Sequence, residues 1–195
     1  MTSGGTVAGD DQIRLFLALE VPEDVASELG RWGRAELCGG RRPDSFHVTL
    51  AFLGSRPRSA LAGILRVLGR EAAATEPFVL EPIGYRETRS VGMLVLADPS
   101  GLATNLAERV QQGLETLELY ERERRRWLPH VTVLRFRERP RLAPPPPDVG
   151  AFAPSGAAAF LSRLHPSGAR YEVLESCSLG STRLGVTERG LEQGG

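Results

Sequence analysis

The sequence predicts an α+β fold of two similar lobes, with two mostly antiparallel sheets flanked by helices and a central cleft. Three observations carry this. Short apolar runs alternate with segments of helical periodicity, in the order strand, helix, strand, helix, strand, strand, helix, strand, strand, strand. A tetrapeptide of His, apolar, Thr, apolar occurs twice, at His47-Val48-Thr49-Leu50 and His130-Val131-Thr132-Val133, each on a predicted strand preceded by a helix. The chain's 195 residues suffice for one sizeable domain or two small lobes sharing a core.

Ile13 to Glu20 is a short apolar run, predicted as a buried strand. Pro22, with Glu23 and Asp24 behind it, suits a helix start, and Val25, Leu29 and Trp32 form its apolar stripe. Gly39-Gly40 closes that unit. Ser45 to Leu53 is the strand of the first motif, broken by Gly54 and Pro57. Ser59 is placed to cap a helix with Leu61, Ile64, Leu65 and Leu68 on one side. Phe78 to Tyr85 and Val91 to Ala97 read as strands around a polar turn at 87–90. Asp98-Pro99-Ser100-Gly101 starts a helix striped by Leu102, Leu106, Val110, Leu114 and Leu117. The second motif strand spans Pro129 to Phe136. Pro144 to Pro147 is a stiff connector. Strands at Ala157–Leu164 and Arg170–Leu179 follow, joined by a turn at Pro166-Ser167-Gly168. The domain reading is a flexible stretch over 1–11, a single bilobal domain over 12–182 and a flexible tail over 183–195.

Basic and acidic residues balance, 24 against 24, so bulk charge does not advertise nucleic-acid binding. Arginines do cluster on both sides of the second motif, from Arg122 to Arg126 and from Arg135 to Arg141. Cys38 and Cys177 lie in no metal-binding spacing and read as free thiols. There is no apolar run long enough to span a membrane and no pattern of a signal peptide, which points to the cytoplasm.

The chemistry is in the repeated tetrapeptide. Alternate residues of a strand share a face, so each copy presents an imidazole beside a hydroxyl. Simple parity puts His47 with Thr49, and His130 with Thr132, toward the cleft. Two polar residues on one face of each strand would be costly to bury without a task. Imidazole titrates near neutrality, so one copy can act as base and the other as acid. Threonine hydroxyls donate to anionic oxygens. No phosphate-binding glycine loop, carboxylate cluster or metal-ligand set accompanies them. Metal-free phosphodiester cleavage fits best. The third histidine, His165, stands before Pro166 at a predicted turn and reads as exposed and inert. Trp32 and Trp127 read as packing residues.

These residues resemble the two-histidine phosphoesterase superfamily, whose signature is a pair of His-x-(Thr/Ser)-x motifs. Within it the chain looks like the RNA 2′,3′-cyclic phosphodiesterases, historically called 2′-5′ RNA ligases. Arg14 to Leu19 followed by Val21-Pro22 is similar to the opening strand of that family. His47 to Gly54 and Pro129 to Arg135 resemble its two motifs, and Leu161–Leu164 through Tyr171–Leu174 its last hairpin. The resemblance implies the bilobal two-histidine phosphoesterase fold. It implies hydrolysis of RNA 2′,3′-cyclic phosphate ends to 2′-phosphomonoesters, with reversible 2′-5′ ligation as a side activity. By the same resemblance, His47 and His130 are the catalytic pair, Thr49, Thr132 and Arg135 bind phosphate, and Phe52 lies near the nucleobase. The expected roles are His130 as proton acceptor and His47 as proton donor. No cofactor and no metal are implied, the partner is an RNA or nucleotide with a cyclic phosphate end, and a monomer is expected. Parity sets Arg135 on the face opposite His130, so a twist, bulge or strand end must bring it round. Parity likewise sends Phe52 to the core with Val48 and Leu50. Two other readings stand beside this one: a phosphodiesterase for another small nucleotide (a cyclic nucleotide, an ADP-ribose cyclic phosphate or a 2′-5′ oligoadenylate), and a non-catalytic RNA-end-binding module.

Overall fold

The structure is a computed structural model that describes residues 11–165 and 168–180. The flexible segments expected before residue 12 and after residue 182 lie outside the described residues, Asp11 apart, as do the turn at Pro166-Ser167 and the side chain of His165. In chain order the elements are β1 (Gln12–Glu20), α1 (Glu23–Glu36), β2 (His47–Pro57), α2 (Leu61–Ala73), β3 (Glu81–Glu87), β4 (Val91–Ala97), α3 (Leu102–Thr116), β5 (His130–Arg135), β6 (Gly156–His165) and β7 (Gly168–Cys177). The α+β class and the element order are those expected from the sequence.

The strands form one antiparallel sheet in the order β3-β4-β5-β2-β1-β6-β7. The two sheets anticipated from the duplication are two halves of this one, joined at the centre by a single registered pair, Val48 with Val131. Elsewhere the pairing is extensive: nine pairs join β1 to β2 and nine join β6 to β7. The motif strands thus touch at one point and diverge, which gives two lobes without giving two sheets.

All three helices pack on one face. Leu15, Leu17 and Leu19 of β1 meet Leu29 and Trp32 of α1, Ile64 and Leu68 of α2, and Leu106 and Val110 of α3 in one continuous core. The other face carries a small separate cluster of Phe16, Ala18, Ala158 and Phe160, with Tyr171 packed against it. From Leu15 to Leu19 both faces of β1 are therefore apolar, which explains the unbroken run LFLAL.

Several local details differ from expectation. The helix predicted to start at Ser59 is preceded by a 3-10 turn over Arg58–Ala60, and Ala60 holds the cap position without a side-chain cap bond. Gly54 does not end β2. It adopts φ +68°, open to glycine, and the strand continues to Pro57. β3 starts at Glu81 rather than Phe78. Phe78 and Leu80 are buried, but the backbone of Leu80 pairs with Phe152 outside the main ladder. At the start of α3, Asp98 accepts from the backbone of Thr104 at 2.8 Å and from its hydroxyl at 2.8 Å, satisfying an otherwise unpaired first-turn donor.

The extended connector is tied down at two places. Trp32 donates its indole N–H to the Pro145 carbonyl at 2.9 Å. Glu87, whose side chain is 2% exposed, accepts from Arg139 at 2.9 Å, from the backbone of Arg141 and Leu142 at 3.0 and 2.8 Å, and from the Tyr85 hydroxyl at 3.2 Å. Burial alone would raise this carboxyl; its donors outweigh that and hold it below the ordinary 4.5. A depressed folded-state value adds stability above the unfolded value and loses it as pH falls through the folded one. Glu87→Gln should therefore destabilise the protein by about 2 kcal/mol at pH 7. In urea melts the gap between variant and wild type should close on acidification below the ordinary carboxylate range.

Candidate active site

The central pair places the two motifs. Val48 and Val131 are the second residues of their tetrapeptides and face the core at 1% and 0% exposure. In an antiparallel pair the neighbours cross over. His47 therefore stands beside Thr132, and Thr49 beside His130, on the face away from the helices. The site is a pseudo-twofold arrangement about that valine pair, with imidazole and hydroxyl alternating across it. The parity expected for all four residues holds.

For Arg135 and Phe52 simple parity fails, for one shared reason. β2 carries an extra residue against β1: Leu17 pairs with Ala51 and Ala18 with Thr49, leaving Leu50 over. β5 carries one against β4: Gly92 pairs with Leu134 and Met93 with Thr132, leaving Val133 over. Each bulge falls three residues after its histidine. Leu50 and Ala51 both turn into the core, as do Val133 and Leu134. The residue five after each histidine then returns to the cleft face. On β5 this is Arg135, brought round by a bulge as its expected role requires. On β2 it is Phe52, which pairs with cleft-facing Phe16 and is 51% exposed. The core placement of Phe52 is thus corrected. The buried Gln111 of α3 holds the first bulge, donating to the Leu50 carbonyl at 2.8 Å.

The loops before each strand finish the geometry. Gly40 lies so close to β5 that a Cβ there would stand 2.5 Å from the Arg135 carbonyl oxygen, which lets Arg41 exchange backbone bonds of 2.7 and 2.8 Å with Arg135. Trp127 packs against the core and donates its indole N–H to the Thr49 carbonyl at 2.9 Å, so the approach to the second motif is anchored on the first.

The two imidazoles are held differently. His130 Nδ1 lies 2.8 Å from the Leu128 carbonyl oxygen, which only accepts. Nδ1 therefore carries a hydrogen, and the neutral ring presents the Nε2 lone pair to the cleft. His47 Nδ1 is buried with no hydrogen-bond partner. A hydrogen there would be an unsatisfied buried donor, so the neutral ring carries it on Nε2. One ring offers a lone pair and the other an N–H. The His47 ring also lies among aromatic rings, with centroids 4.7 Å from Phe16, 5.4 Å from Tyr171 and 5.7 Å from Phe160. Burial first, then the neighbouring Arg135 and His130, push its pKa from the ordinary 6.5 down to about 4.

Arginines gather on the cleft face, where Glu20 is the acid beside His47. Register places Arg14, Arg86 and Arg135 on the cleft face, and the Arg14 guanidinium lies 4.9 Å from the centre of the Phe52 ring. Several acids are engaged away from the cleft, such as Glu71 with Arg70 and Arg109, and Glu87 with Arg139. A chain of zero net charge thus presents arginines around its histidines. Phe16, Phe160, Tyr171, Arg14 and Arg86 were not singled out from the sequence. The phenylalanines sit in apolar runs that read as core, and the arginines need the strand register to be placed.

Comparison with known proteins agrees with this fold. The 2′-5′ RNA ligase superfamily matches the chain over residues 21–160. An RNA 2′,3′-cyclic phosphodiesterase of Thermus thermophilus is 33% identical over 181 residues, covering 86% of this chain and 90% of the relative. A crystal structure of a Thermus thermophilus protein superposes with a TM-score of 0.73 at 30% identity, covering 86% of this chain and 98% of the other. The Escherichia coli LigT complexed with 3′-AMP shares the fold, with a TM-score of 0.77 at 22% identity over 87% and 99% of the two chains.

Arg135→Gln removes one of the cations that disfavour imidazolium at His47. The His47 pKa should rise from about 4 toward 6.5, read by imidazole NMR across a pH series. A His47 titration that is indifferent to this change would place Arg135 away from the ring.

Proposed function

The chain belongs to the 2′-5′ RNA ligase superfamily, and on that premise we propose that it hydrolyses RNA 2′,3′-cyclic phosphate ends to 2′-phosphomonoesters with His47 and His130 as acid and base. The observation that carries this reading is the opposite presentation of the two imidazoles about the Val48–Val131 pair: a lone pair from His130 and an N–H from His47.

The cyclic phosphate sits between the two strands. Thr49, Thr132 and Arg135 donate to its non-bridging oxygens. Water attacks phosphorus in line with the 3′-oxygen, and His130 Nε2 accepts the water proton as the new P–O bond forms. The P–O3′ bond breaks, and His47 Nε2 donates a proton to the departing 3′-oxygen. The 2′-phosphomonoester and a 3′-hydroxyl remain. The proton gained by His130 equals the one lost by His47, and exchange with solvent resets the pair. Negative charge building on the equatorial oxygens meets the hydroxyls and the Arg135 guanidinium, donors already fixed in place. Acid, base and charge-stabilising donors are all side chains of this protein, so the step needs no metal. With the 5′-hydroxyl of another strand in place of water, the same transfers give a 2′-5′ phosphodiester, the ligation side activity.

His47 must hold a proton on both nitrogens to serve as acid, and in the empty site its depressed pKa keeps it neutral at pH 7. The anionic substrate supplies what is missing, since a negative charge beside the ring favours imidazolium. Phe52, exposed beside the site and backed by Arg14, offers a face for the terminal base.

His47→Ala and His130→Ala should each lower kcat for a 2′,3′-cyclic nucleotide roughly 10²–10⁴-fold with the fold retained by circular dichroism. Thr49→Val and Thr132→Val should each cost on the order of 10²-fold. Turnover should be undiminished in EDTA; loss to the chelator with recovery on adding a divalent metal would refute the metal-free step. A panel containing a 2′-5′ oligoadenylate, an ADP-ribose cyclic phosphate and a 3′,5′-cyclic nucleotide should be turned over more slowly than a cyclic-phosphate RNA end. The reverse ranking would favour one of those substrates instead, and no turnover of any would leave an RNA-end-binding module.

A further inference from the structure

The cleft face of the N-terminal half carries an apolar cluster that the reaction above does not use. Phe16 of β1 and Phe160 of β6 are direct cross-strand partners, stacked at 4.9 Å between centroids and 5° between planes. Tyr171 of β7 meets Phe16 edge-on at 5.0 Å and 77°. Fully buried Ala18 and Ala158 belong to the same cluster, and their small side chains leave room above the sheet. The His47 ring packs against all three aromatic rings of the cluster. It is tilted 37° to Phe16 and 32° to Phe160, and stands at 86° to Tyr171. Two rings approach its plane obliquely, the third meets it edge to face, and Nδ1 is buried with no hydrogen-bond partner.

A second core of this kind, beside a catalytic residue and apart from the main core, is more than packing requires. It sets two things at once. It fixes the ring orientation, so that Nε2 is the nitrogen that reaches the cleft. It also removes the water that would solvate an imidazolium, and aromatic faces return only part of that solvation. We propose that Phe16, Phe160 and Tyr171 are positioning residues that make His47 a proton donor only while an anion occupies the cleft. This rests on the donor role assigned to His47 above.

The charged and titratable groups around the ring are consistent with that device. On β1, Glu20 stands beside His47 in register and is bonded by the Ser176 hydroxyl, while Arg14 stands further along the same face. On β5, Arg135 is the neighbouring cation and His130 the other titratable ring. On β7 the titratable group is Tyr171 itself, and from β6 the contact is the apolar Phe160. On β2 itself the neighbouring cleft-face side chains, Thr49 and Phe52, carry no charge. An anion entering the cleft is thus the change that can tip the ring toward its charged form. The empty enzyme keeps a neutral ring with its hydrogen on Nε2, and the loaded enzyme takes up one proton on Nδ1, where the attraction of the bound anion offsets the cost of a buried donor without an acceptor.

The test is an imidazole NMR titration of His47 in the free protein and at saturation with 2′-AMP, alongside pH profiles of kcat and kcat/KM on a 2′,3′-cyclic nucleotide. In wild type, His47 should titrate near 4 when free and shift upward by more than about tenfold in proton affinity with 2′-AMP bound. In Phe160→Ala, the free His47 should move toward 6.5, the 2′-AMP shift should shrink, and kcat should fall while KM stays within about twofold. Truncation at Tyr171, which is only partly buried in the cluster, serves if Phe160→Ala does not fold. Tyr171→Phe keeps the ring and should behave as wild type, whereas Tyr171→Ala should follow Phe160→Ala. A folded Phe160→Ala or Tyr171→Ala whose His47 titration is unchanged overturns the proposal. So does a loss confined to KM, which would make these rings a shelf for the nucleoside. Failure of wild type to turn over any cyclic phosphate would sink the hydrolytic reading alone, because the NMR titration reports on the aromatic seat without turnover.

Discussion

The whole site depends on one cross-strand contact, the pairing of Val48 with Val131. It is the single registered pair between the halves of the sheet, and it sits at the same position of both motifs. Because the strands are antiparallel, that pair generates the crossed arrangement of histidine beside threonine on both sides. A slip of β5 by one residue against β2 would turn His130 and Thr132 toward the helices and leave His47 and Thr49 in the cleft without them. The contact is narrow, and other elements brace it. Trp127 bonds the Thr49 carbonyl from the side of the second motif, the loop at Arg41 clasps Arg135 through backbone bonds, and Gln111 reaches the first motif strand from α3. Each brace crosses between segments distant in sequence, which is what a site shared by two lobes needs.

Much of this was legible in the sequence, and what was not has a physical cause. The element order follows from periodicity and turn residues, and the facing of His47, Thr49, His130 and Thr132 follows from strand parity alone. The bulges were hidden because an extra residue inside an apolar run leaves no signature. Leu50-Ala51 and Val133-Leu134 each read as a strand buried on both faces, and only the pairing partners reveal that one residue is over. Gln111 was a faint signal, a polar residue next to Val110 in the buried stripe of α3, and its partner lies 61 residues away. The same blindness covers Phe16. In IRLFLAL every position is apolar or flanked by apolar residues, so the division between the main core and the cleft-side cluster was invisible. The expectation of two sheets was an overreach of the duplication argument, since one shared residue pair suffices to merge them.

Net charge misleads in a comparable way. A balance of 24 against 24 averages over faces that do different things. Glu71 and Glu87 are held in buried or half-buried networks away from the cleft, where each neutralises arginines that would otherwise add to the field. Arg14, Arg86 and Arg135 are left on the face where a phosphate would arrive. For a substrate recognised at one terminal group, local charge of this kind serves better than a basic envelope, which would attract nucleic acid of any sequence at any position.

A duplicated motif also raises a problem of direction. Two identical imidazole–hydroxyl pairs about a twofold axis present no reason for one to give a proton and the other to take it. Hydrolysis through an acid and a base needs that difference. Here the backbone keeps the symmetry, down to matching bulges three residues after each histidine, and the surroundings break it. The position five residues on is Phe52 on one strand and Arg135 on the other. Leu128 supplies a carbonyl to Nδ1 of His130, while Nδ1 of His47 is buried with no partner on a ring set among aromatic rings from three strands. The asymmetry is therefore carried by neighbours outside the motif, contributed by β1, β6, β7 and the loop before β5. Evolutionary change in those neighbours can reverse or silence the chemistry while both tetrapeptides stay intact, so possession of the two motifs is a weaker guide to activity than the environment of each Nδ1.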